Sequence, residues 1–407
     1  MAKPIPAFAP LVLTINGGSS SIKFGLYRRS DPPLLELSGR IDRIGLPRTS
    51  LSFRDRGGGL QGGHSISGRN HAESAQTLCD WLVQRAGAGS ITAIGHRIVH
   101  GGANLHEPQC ITGAVLDELH RISDFAPEHL PAGIAMIELF GTKLQGIPQV
   151  ACFDTAFHRA MPRVAKMLPI PRRFQAAGIE RYGFHGLSYT YLMEELTRLA
   201  GEKAARGRLV LAHLGNGASL AAVRDGLSID TTMGFTPAAG LPMSTRSGDL
   251  DPGLVSYFSR SENMTAEQFQ RMVNHESGLL GISETSPDVR DLLAAESADP
   301  RAAEAVALFC YQARKGVGAF AAALGGLDTL VFTGGIGENA AVIRSRICEG
   351  LEFLGIRLDE ARNAAGEAVI SAAKSPVCVR VIRTDEDLII ARSVLRILGP
   401  SPSTPSG

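Results

Sequence analysis

Leu11-Val-Leu-Thr-Ile-Asn-Gly-Gly-Ser-Ser-Ser-Ile-Lys-Phe-Gly-Leu-Tyr27 is an apolar run, a tight polar turn and a second apolar run. The pattern predicts a β-hairpin whose turn presents backbone N–H groups. Leu209-Val-Leu-Ala-His-Leu-Gly-Asn-Gly-Ala-Ser-Leu-Ala-Ala-Val223 repeats it about two hundred residues later. Two copies of one supersecondary unit in a single chain point to a duplicated domain. A third glycine-rich stretch, Thr333-Gly-Gly-Ile-Gly-Glu-Asn339, follows the strand candidate Thr329–Phe332 and is expected to open a helix over Ala340–Leu351. The amides of such a helix start favour an anion.

Working outward, Ile91–Ile94, Val150–Phe153 and Val377–Ile382 read as further strands. Helical periodicity marks Ala72–Arg85, Tyr189–Ala200 and Ala302–Leu324. Strands alternating with helices give an α/β fold. Ser30–Asn70, rich in Gly, Arg and Ser, is expected to form a peripheral hairpin with loops.

The chain has 407 residues, beyond the size at which one hydrophobic core keeps growing, so two domains with a cleft between them are expected. A hydrophobic content of 44% with 20% charged residues is the profile of a globular protein. The net charge of +1 gives no electrostatic reason for a nucleic-acid or membrane partner. No segment approaches the length of an apolar membrane span, and the N-terminal stretch lacks a signal peptide's apolar core. The 6 cysteines are widely spaced without a C-x-x-C pair, which fits reduced thiols in the cytoplasm. The Pro/Ser/Gly-rich end, Gly399–Gly407, is expected to fray.

Several residues carry candidate chemistry. Lys23 follows the first turn, where it is placed to neutralise a phosphate held by hairpin amides, with Ser19 and Ser21 offering hydroxyls; a solvent-facing hairpin lysine is the plainer alternative. No Walker loop is present. Arg97, in His96-Arg-Ile-Val-His-Gly-Gly102, suits a carboxylate or phosphoryl group, and equally a structural ion pair. Asp154, at the carboxyl end of an apolar strand, is a metal or catalytic candidate or else a helix cap. His185 and Arg246 are flanked by glycines that let the backbone approach a ligand. A histidine and two arginines that converge are what phosphoryl transfer requires, because its transition state spreads negative charge over equatorial oxygens. Thr384-Asp-Glu-Asp387 supplies adjacent carboxylates, read either as a Mg²⁺ site or as a solvated charge run.

Eight blocks, in order from Leu11 to Arg392, resemble the acetate kinase family: N-G-G-S-S-S-I-K, G-H-R-I-V-H-G-G, F-D-T-A-F-H, Y-G-F-H-G, H-L-G-N-G-A-S, M-S-T-R-S-G-D-L-D-P, T-G-G-I-G-E-N and T-D-E-D. The resemblance implies duplicated ribonuclease-H-like domains of the actin, Hsp70 and sugar-kinase superfamily with an interdomain cleft. It places an N-terminal domain at 1–155, completed by 385–400, a nucleotide-binding domain at 156–384 and a flexible tail at 401–407. It implies ATP as co-substrate, Mg²⁺ or Mn²⁺, a homodimer, and transfer of the γ-phosphoryl group to acetate; a propionate or other short-chain acyl kinase is the nearest alternative. A nucleotide-gated binding protein without transfer is the alternative from another class.

By the same resemblance Asn16 and Glu386 are the metal partners, and Lys23 lies by the phosphates. His213, Leu214, Gly215, Asn216, Gly217, Asp288, Val289, Arg290, Gly335, Ile336, Gly337, Glu338 and Asn339 match its nucleotide contacts. Arg97 matches the carboxylate-binding arginine, Asp154 the catalytic carboxylate, and His185 and Arg246 the transition-state stabilisers. Val99, His129, Phe184 and Pro237 match the acyl pocket. The chain departs from the family pattern A-P-L-H-N-P at Ala126-Pro-Glu-His-Leu-Pro131, and from T-P-L-E-G-L-M at Thr236-Pro-Ala-Ala-Gly-Leu-Pro242. An unpaired carboxylate beside the substrate's is costly, so Glu128 is expected to turn away or pair with a cation. If it faces the pocket instead, an acyl group bearing a hydroxyl or amine gains ground.

Overall fold

Leu11, Val12, Leu13 and Ile15 are all buried, so the first strand is covered on both faces and sits inside its sheet rather than at an edge. The computed structural model describes residues 10–18, 21–45, 48–59, 61–66, 68, 70–87 and 89–399; the expected tail at 401–407 lies outside them. The chain divides into two compact units, one reaching to Ala156 and resuming at Asp385, the other spanning Phe157–Thr384.

The first unit is built on β1 (Leu11–Gly17), β2 (Ser21–Arg28), β3 (Leu34–Asp42), β4 (Ser50–Asp55), β5 (Gln61–Ser65), β6 (Ile91–Ile98), β7 (Gln109–Cys110) and β8 (Gln149–Phe153). Their order in the sheet is β5-β4-β3-β2-β1-β6-β8-β7. β1 and β2 form the expected hairpin, with Asn16 opposite Lys23. β6 lies parallel to β1, and β8 parallel to β6. The second unit carries β9 (Leu209–Leu214), β10 (Ala218–Arg224), β11 (Leu227–Thr231), β12 (Thr329–Thr333) and β13 (Cys378–Val381), ordered β11-β10-β9-β12-β13. β9 and β10 pair antiparallel, while β12 lies parallel to both β9 and β13. The run β3-β2-β1-β6-β8 therefore recurs as β11-β10-β9-β12-β13, the same strand order in each unit.

Two elements differ from the sequence reading. The segment expected as a hairpin with loops instead extends the first sheet through β3, β4 and β5, because Leu37, Ile41, Leu51 and Phe53 alternate into the core. The glycine-rich stretch after β12 is already helical over Gly334–Asn339; the chain breaks at Ala340, and a second helix runs Ala341–Cys348. Glu338 explains the early start: its Oε1 accepts from the N–H of Gly334 at 3.0 Å, which anchors the first turn. Among the described residues no helix is long and apolar enough to cross a membrane.

The helix Glu386–Leu398 returns to the first unit and packs on β1, β6 and β8. Arg29 holds its far end, donating to the carbonyls of Leu398 at 2.8 Å and Gly399 at 3.0 Å. Gly95 on β6 permits the close approach. A Cβ there would collide with Ile390 Cγ2 and lie 2.8 Å from Val394 Cγ2. Gly95→Ala is expected to cost about 1–3 kcal/mol through overpacking, read as a lowered Tm in calorimetry. An unchanged Tm would mean that the helix is not seated against this strand.

Candidate active site

Because β1, β6 and β8 run parallel, their carboxyl ends share one edge of the sheet. Asn16, Arg97 and Asp154 stand at those ends, and the helix Glu386–Leu398 begins beside them. Arg97 donates to Asp154 Oδ2 twice, from Nε at 3.0 Å and Nη2 at 2.6 Å. Its Nη1 donates to Asn16 Oδ1 at 3.1 Å and to the Gly17 carbonyl at 3.3 Å. The Asn16 amide nitrogen donates to Glu386 Oε2 at 2.9 Å. The result is one chain of hydrogen bonds, Glu386 to Asn16 to Arg97 to Asp154. Asn16 joins it by orienting two charged groups, with its oxygen already accepting from Arg97.

Asp154 is fully buried, and its Oδ1 has no hydrogen-bond partner. Burial pushes its carboxyl above the usual range, while the Arg97 guanidinium opposes the shift and favours the anion. Burial works against the charge on Arg97 as well, but Asp154, Glu386 and Asp387 outweigh it and keep the guanidinium protonated. Asp387, whose Oδ1 is also buried without a partner, is pushed up to about 7 by burial and by Glu386, with Lys23 pulling the other way. Lys23 is exposed on β2, and Ser21 is half-buried where that strand starts. Ser19 lies outside the described residues.

Beside this network is a cavity of about 180 Å³ whose walls include Arg97, Val99, Glu128, His129, Leu130 and Met136. Glu128 is exposed and is one of the residues along that wall. Among the described residues, no group of three or more His, Cys, Asp or Glu side chains is arranged to hold a metal ion.

In the second unit, His185 has φ 60° and precedes the helix Gly186–Ala200. Its Nδ1 is 2.8 Å from Ser219 Oγ, and its ring stacks on His213 with centroids 4.1 Å apart. Arg246 Nη1 donates to the Pro237 carbonyl at 3.4 Å. Gly217, in the β9–β10 turn, lies against both side chains: a Cβ there would be 3.1 Å from His185 Nε2 and 3.6 Å from Arg246 Nη1. The structure thus brings His185 and Arg246 to one glycine turn. His213 Nδ1 is 2.8 Å from Ser188 Oγ, and the Gly215 N–H donates to the Gly217 carbonyl at 3.0 Å, closing the turn that holds Asn216. Leu214 is buried on β9.

Other sequence candidates have structural partners of their own. Asp288 caps the helix Val289–Ala295 by accepting from the Arg290 N–H at 2.9 Å, and also pairs with the largely exposed Arg290 guanidinium. Val289 is buried. Within Gly334–Asn339, which contains Gly335, Ile336 and Gly337, Glu338 also accepts from the Thr384 N–H at 3.1 Å, and Asn339 donates to the Gly335 carbonyl at 2.8 Å. Phe184 and Pro237 are buried in the second unit, and Val99 in the first.

The sequence reading passed over His158, which sits in the quoted F-D-T-A-F-H block. Its Nε2 contacts the Phe184 carbonyl at 3.0 Å and so must carry the proton; Nδ1 then accepts from Ser228 Oγ at 2.8 Å. Burial lowers its pKa to about 4, which keeps it in that neutral state near pH 7. Gly183, at φ 72°, leaves no room for a side chain, since a Cβ would lie 2.6 Å from His158 Cδ2. His158 therefore clamps the turn that presents His185.

Comparison with known proteins gives concordant matches. A model described as the acetokinase family matches residues 11–392. The acetate kinase of Rhodopseudomonas palustris is 43% identical over 95% of this chain and 98% of its own length. The propionate kinase of Citrobacter rodentium is 41% identical, covering 95% of this chain and 96% of that protein. Among solved structures, Porphyromonas gingivalis acetate kinase superposes with a TM-score of 0.85 at 35% identity, over 96% of this chain and all of that one.

The clamp can be tested without any assay of activity. His158→Phe strands the buried Phe184 carbonyl, which is expected to cost about 1–3 kcal/mol and to move the His185 imidazole resonances in the NMR spectrum. Unmoved His185 resonances would show that the turn holds its shape without His158.

Proposed function

The chain belongs to the acetokinase family, and from that premise we propose that the Arg97 cluster seats a short carboxylate while His185 and Arg246 stabilise the phosphoryl group it receives. The enzyme is an ATP-dependent phosphotransferase with a carboxyl group as acceptor, and its reaction is that of an acetate kinase, ATP + acetate ⇌ ADP + acetyl phosphate. In a direct in-line transfer an acetate oxygen bonds to the γ-phosphorus, the bond to the bridging oxygen breaks, and ADP leaves. The observation that carries the reading is Arg97, fixed by Asp154 and Asn16, in the wall of the adjoining cavity. A guanidinium held on one side and open on another is suited to an anionic acceptor.

Asp154 acts here as an orienting group rather than a base. The acceptor carboxylate is already ionised near neutral pH and brings no proton to be removed. Mg²⁺ or Mn²⁺ fits the oxygen-rich end of the sheet, where Asp154 and Asp387 each keep a buried oxygen without a partner. Glu386, with Asn16, would hold it, and when bound it would offset charge on the nucleotide phosphates. Lys23, with Ser19 and Ser21, serves those phosphates; the β9–β10 turn, Asp288–Arg290 and Gly335–Asn339 serve the rest of the nucleotide. Val99, His129, Phe184 and Pro237 line the acyl site. A homodimer and a cytoplasmic location complete the proposal, the latter supported by six unpaired cysteines.

Propionate is the nearest competing acceptor, in keeping with the relative named propionate kinase. A methylene is worth only about 1–3 kcal/mol of discrimination, so kcat/KM across acetate, propionate and butyrate ranks the acceptors. With ATP, Mg²⁺ and acetate, the purified protein is expected to yield an acyl phosphate trapped as hydroxamate; its absence would contradict the assignment. Asp154→Asn is expected to lower kcat by about 10²-fold or more while KM for ATP stays within a few-fold, as for loss of preorganisation. Near-normal kcat would remove Asp154 from the mechanism.

A further inference from the structure

Behind the His185 ring lies a buried pair of hydroxyls. Ser219, on β10, stands opposite His213 in the register of the β9–β10 hairpin. Its hydroxyl is 2.8 Å from His185 Nδ1 and 2.5 Å from the hydroxyl of Tyr189, which comes from the first turn of the helix Gly186–Ala200. Ser219 and Tyr189 are both wholly shielded from solvent. A buried hydroxyl proton without an acceptor costs about 1–3 kcal/mol, so the protons of this relay are placed by matching each one to an acceptor.

Tyr189 keeps its proton near neutral pH, because burial raises its phenol well above the usual range. The hydrogen bond with the His213 backbone favours the phenolate, so it enters as a donor. Among the described residues, the acceptor for the Tyr189 proton is then Ser219 Oγ, which donates its own proton to its remaining partner, His185 Nδ1. An Nδ1 that accepts a hydrogen bond carries no proton, which puts the imidazole's proton on Nε2. The charged form is disfavoured by the same matching: an Nδ1–H would give Ser219 two donors and leave its own buried proton without an acceptor. Nε2 is the nitrogen that faces the glycine turn, 3.1 Å from the position of a Gly217 Cβ, with Arg246 Nη1 3.6 Å from the same point.

We infer that Ser219 and Tyr189 are positioning residues that hold His185 as a neutral imidazole with its proton on Nε2, so that the ring presents a fixed N–H donor to the phosphoryl group. The inference rests on the kinase reading and divides the labour at this turn: Arg246 supplies the positive charge, and His185 a directed hydrogen bond. The transfer itself is unchanged. The acceptor's oxygen bonds to the γ-phosphorus, the bond to the bridging oxygen breaks, and His185 keeps its proton throughout. A donor already fixed by buried partners needs no reorganisation when charge develops on the phosphoryl oxygens. A neutral ring also adds no positive charge beside Arg246 or to the stack with His213, whose centroid is 4.1 Å away.

The spectrum of ring-¹⁵N-labelled histidine in the full chain, recorded near neutral pH without nucleotide, reads the tautomer directly, and His185 is assigned by its absence in His185→Ala. The unsubstituted protein is expected to show a protonated Nε2 and an unprotonated, accepting Nδ1. Ser219→Thr keeps the hydroxyl and should keep that form, whereas Ser219→Ala and Tyr189→Phe should show a mixture in which Nδ1 also carries a proton. On the same samples, kcat for acetyl phosphate formation is expected to fall about tenfold in Ser219→Ala, the scale of one hydrogen bond, and by less in Tyr189→Phe. Ser219→Thr should stay within a few-fold, and KM for ATP and acetate should change little in all three. A fall in kcat with the tautomer unmoved would show a merely structural role and overturn the inference. A proton on Nδ1 in the unsubstituted protein would do the same. No acetyl phosphate from the unsubstituted protein would instead overturn the kinase reading, and with it the use of the donor, whichever tautomer the spectrum shows.

Discussion

The ion pair between Arg97 and Asp154 is the constraint on which the first unit's site depends. A carboxylate with no solvent exposure is costly unless a cation and hydrogen bonds compensate it. Arg97 compensates half of it, leaving Oδ1 without a partner. Holding both groups requires three parallel strand ends from distant parts of the chain, together with the helix that starts at Glu386. A fold that brings Asn16, Arg97, Asp154 and Glu386 to one edge concentrates charge where stability alone would not place it. Such concentrations characterise sites of chemistry more than sites of packing.

The repeated strand order gives the two units one plan with different contents. At the first hairpin the sheet ends in carboxylates, an amide and a guanidinium; at the second it ends in a glycine turn flanked by stacked histidines and Arg246. The strand order is shared, and what differs is the set of side chains at the turns.

Much of this was legible in the sequence because hairpins announce themselves locally. Asn16 to Lys23 and His213 to Ala218 each show a turn between two apolar runs, and the parallel strands at Ile91 and Val150 are short apolar runs with clear ends. Long-range partners leave no such mark. Nothing in Thr384–Asp387 says that Glu386 bonds to Asn16, some 370 residues away. Glu338 also ties Gly334 and Thr384 together through its carboxylate, and Asp288 caps a helix, contacts that sequence spacing does not report. The extra strands β3 to β5 were obscured by glycine and arginine in a segment whose inward positions are nevertheless apolar. His158 was in plain view within a quoted block, but its task is to hold a backbone carbonyl, which sequence spacing does not report.

The central claim is that Arg97 is the anchor of the acceptor acid and is not needed to hold the nucleotide. It is tested most directly by following acetyl phosphate with ³¹P NMR in Arg97→Ala, with ATP affinity measured by calorimetry on the same sample. The account predicts ATP binding within a few-fold of the unsubstituted protein and a loss of acetyl phosphate formation of about 10²-fold or more. Turnover of acetate at an unchanged rate and KM would contradict it.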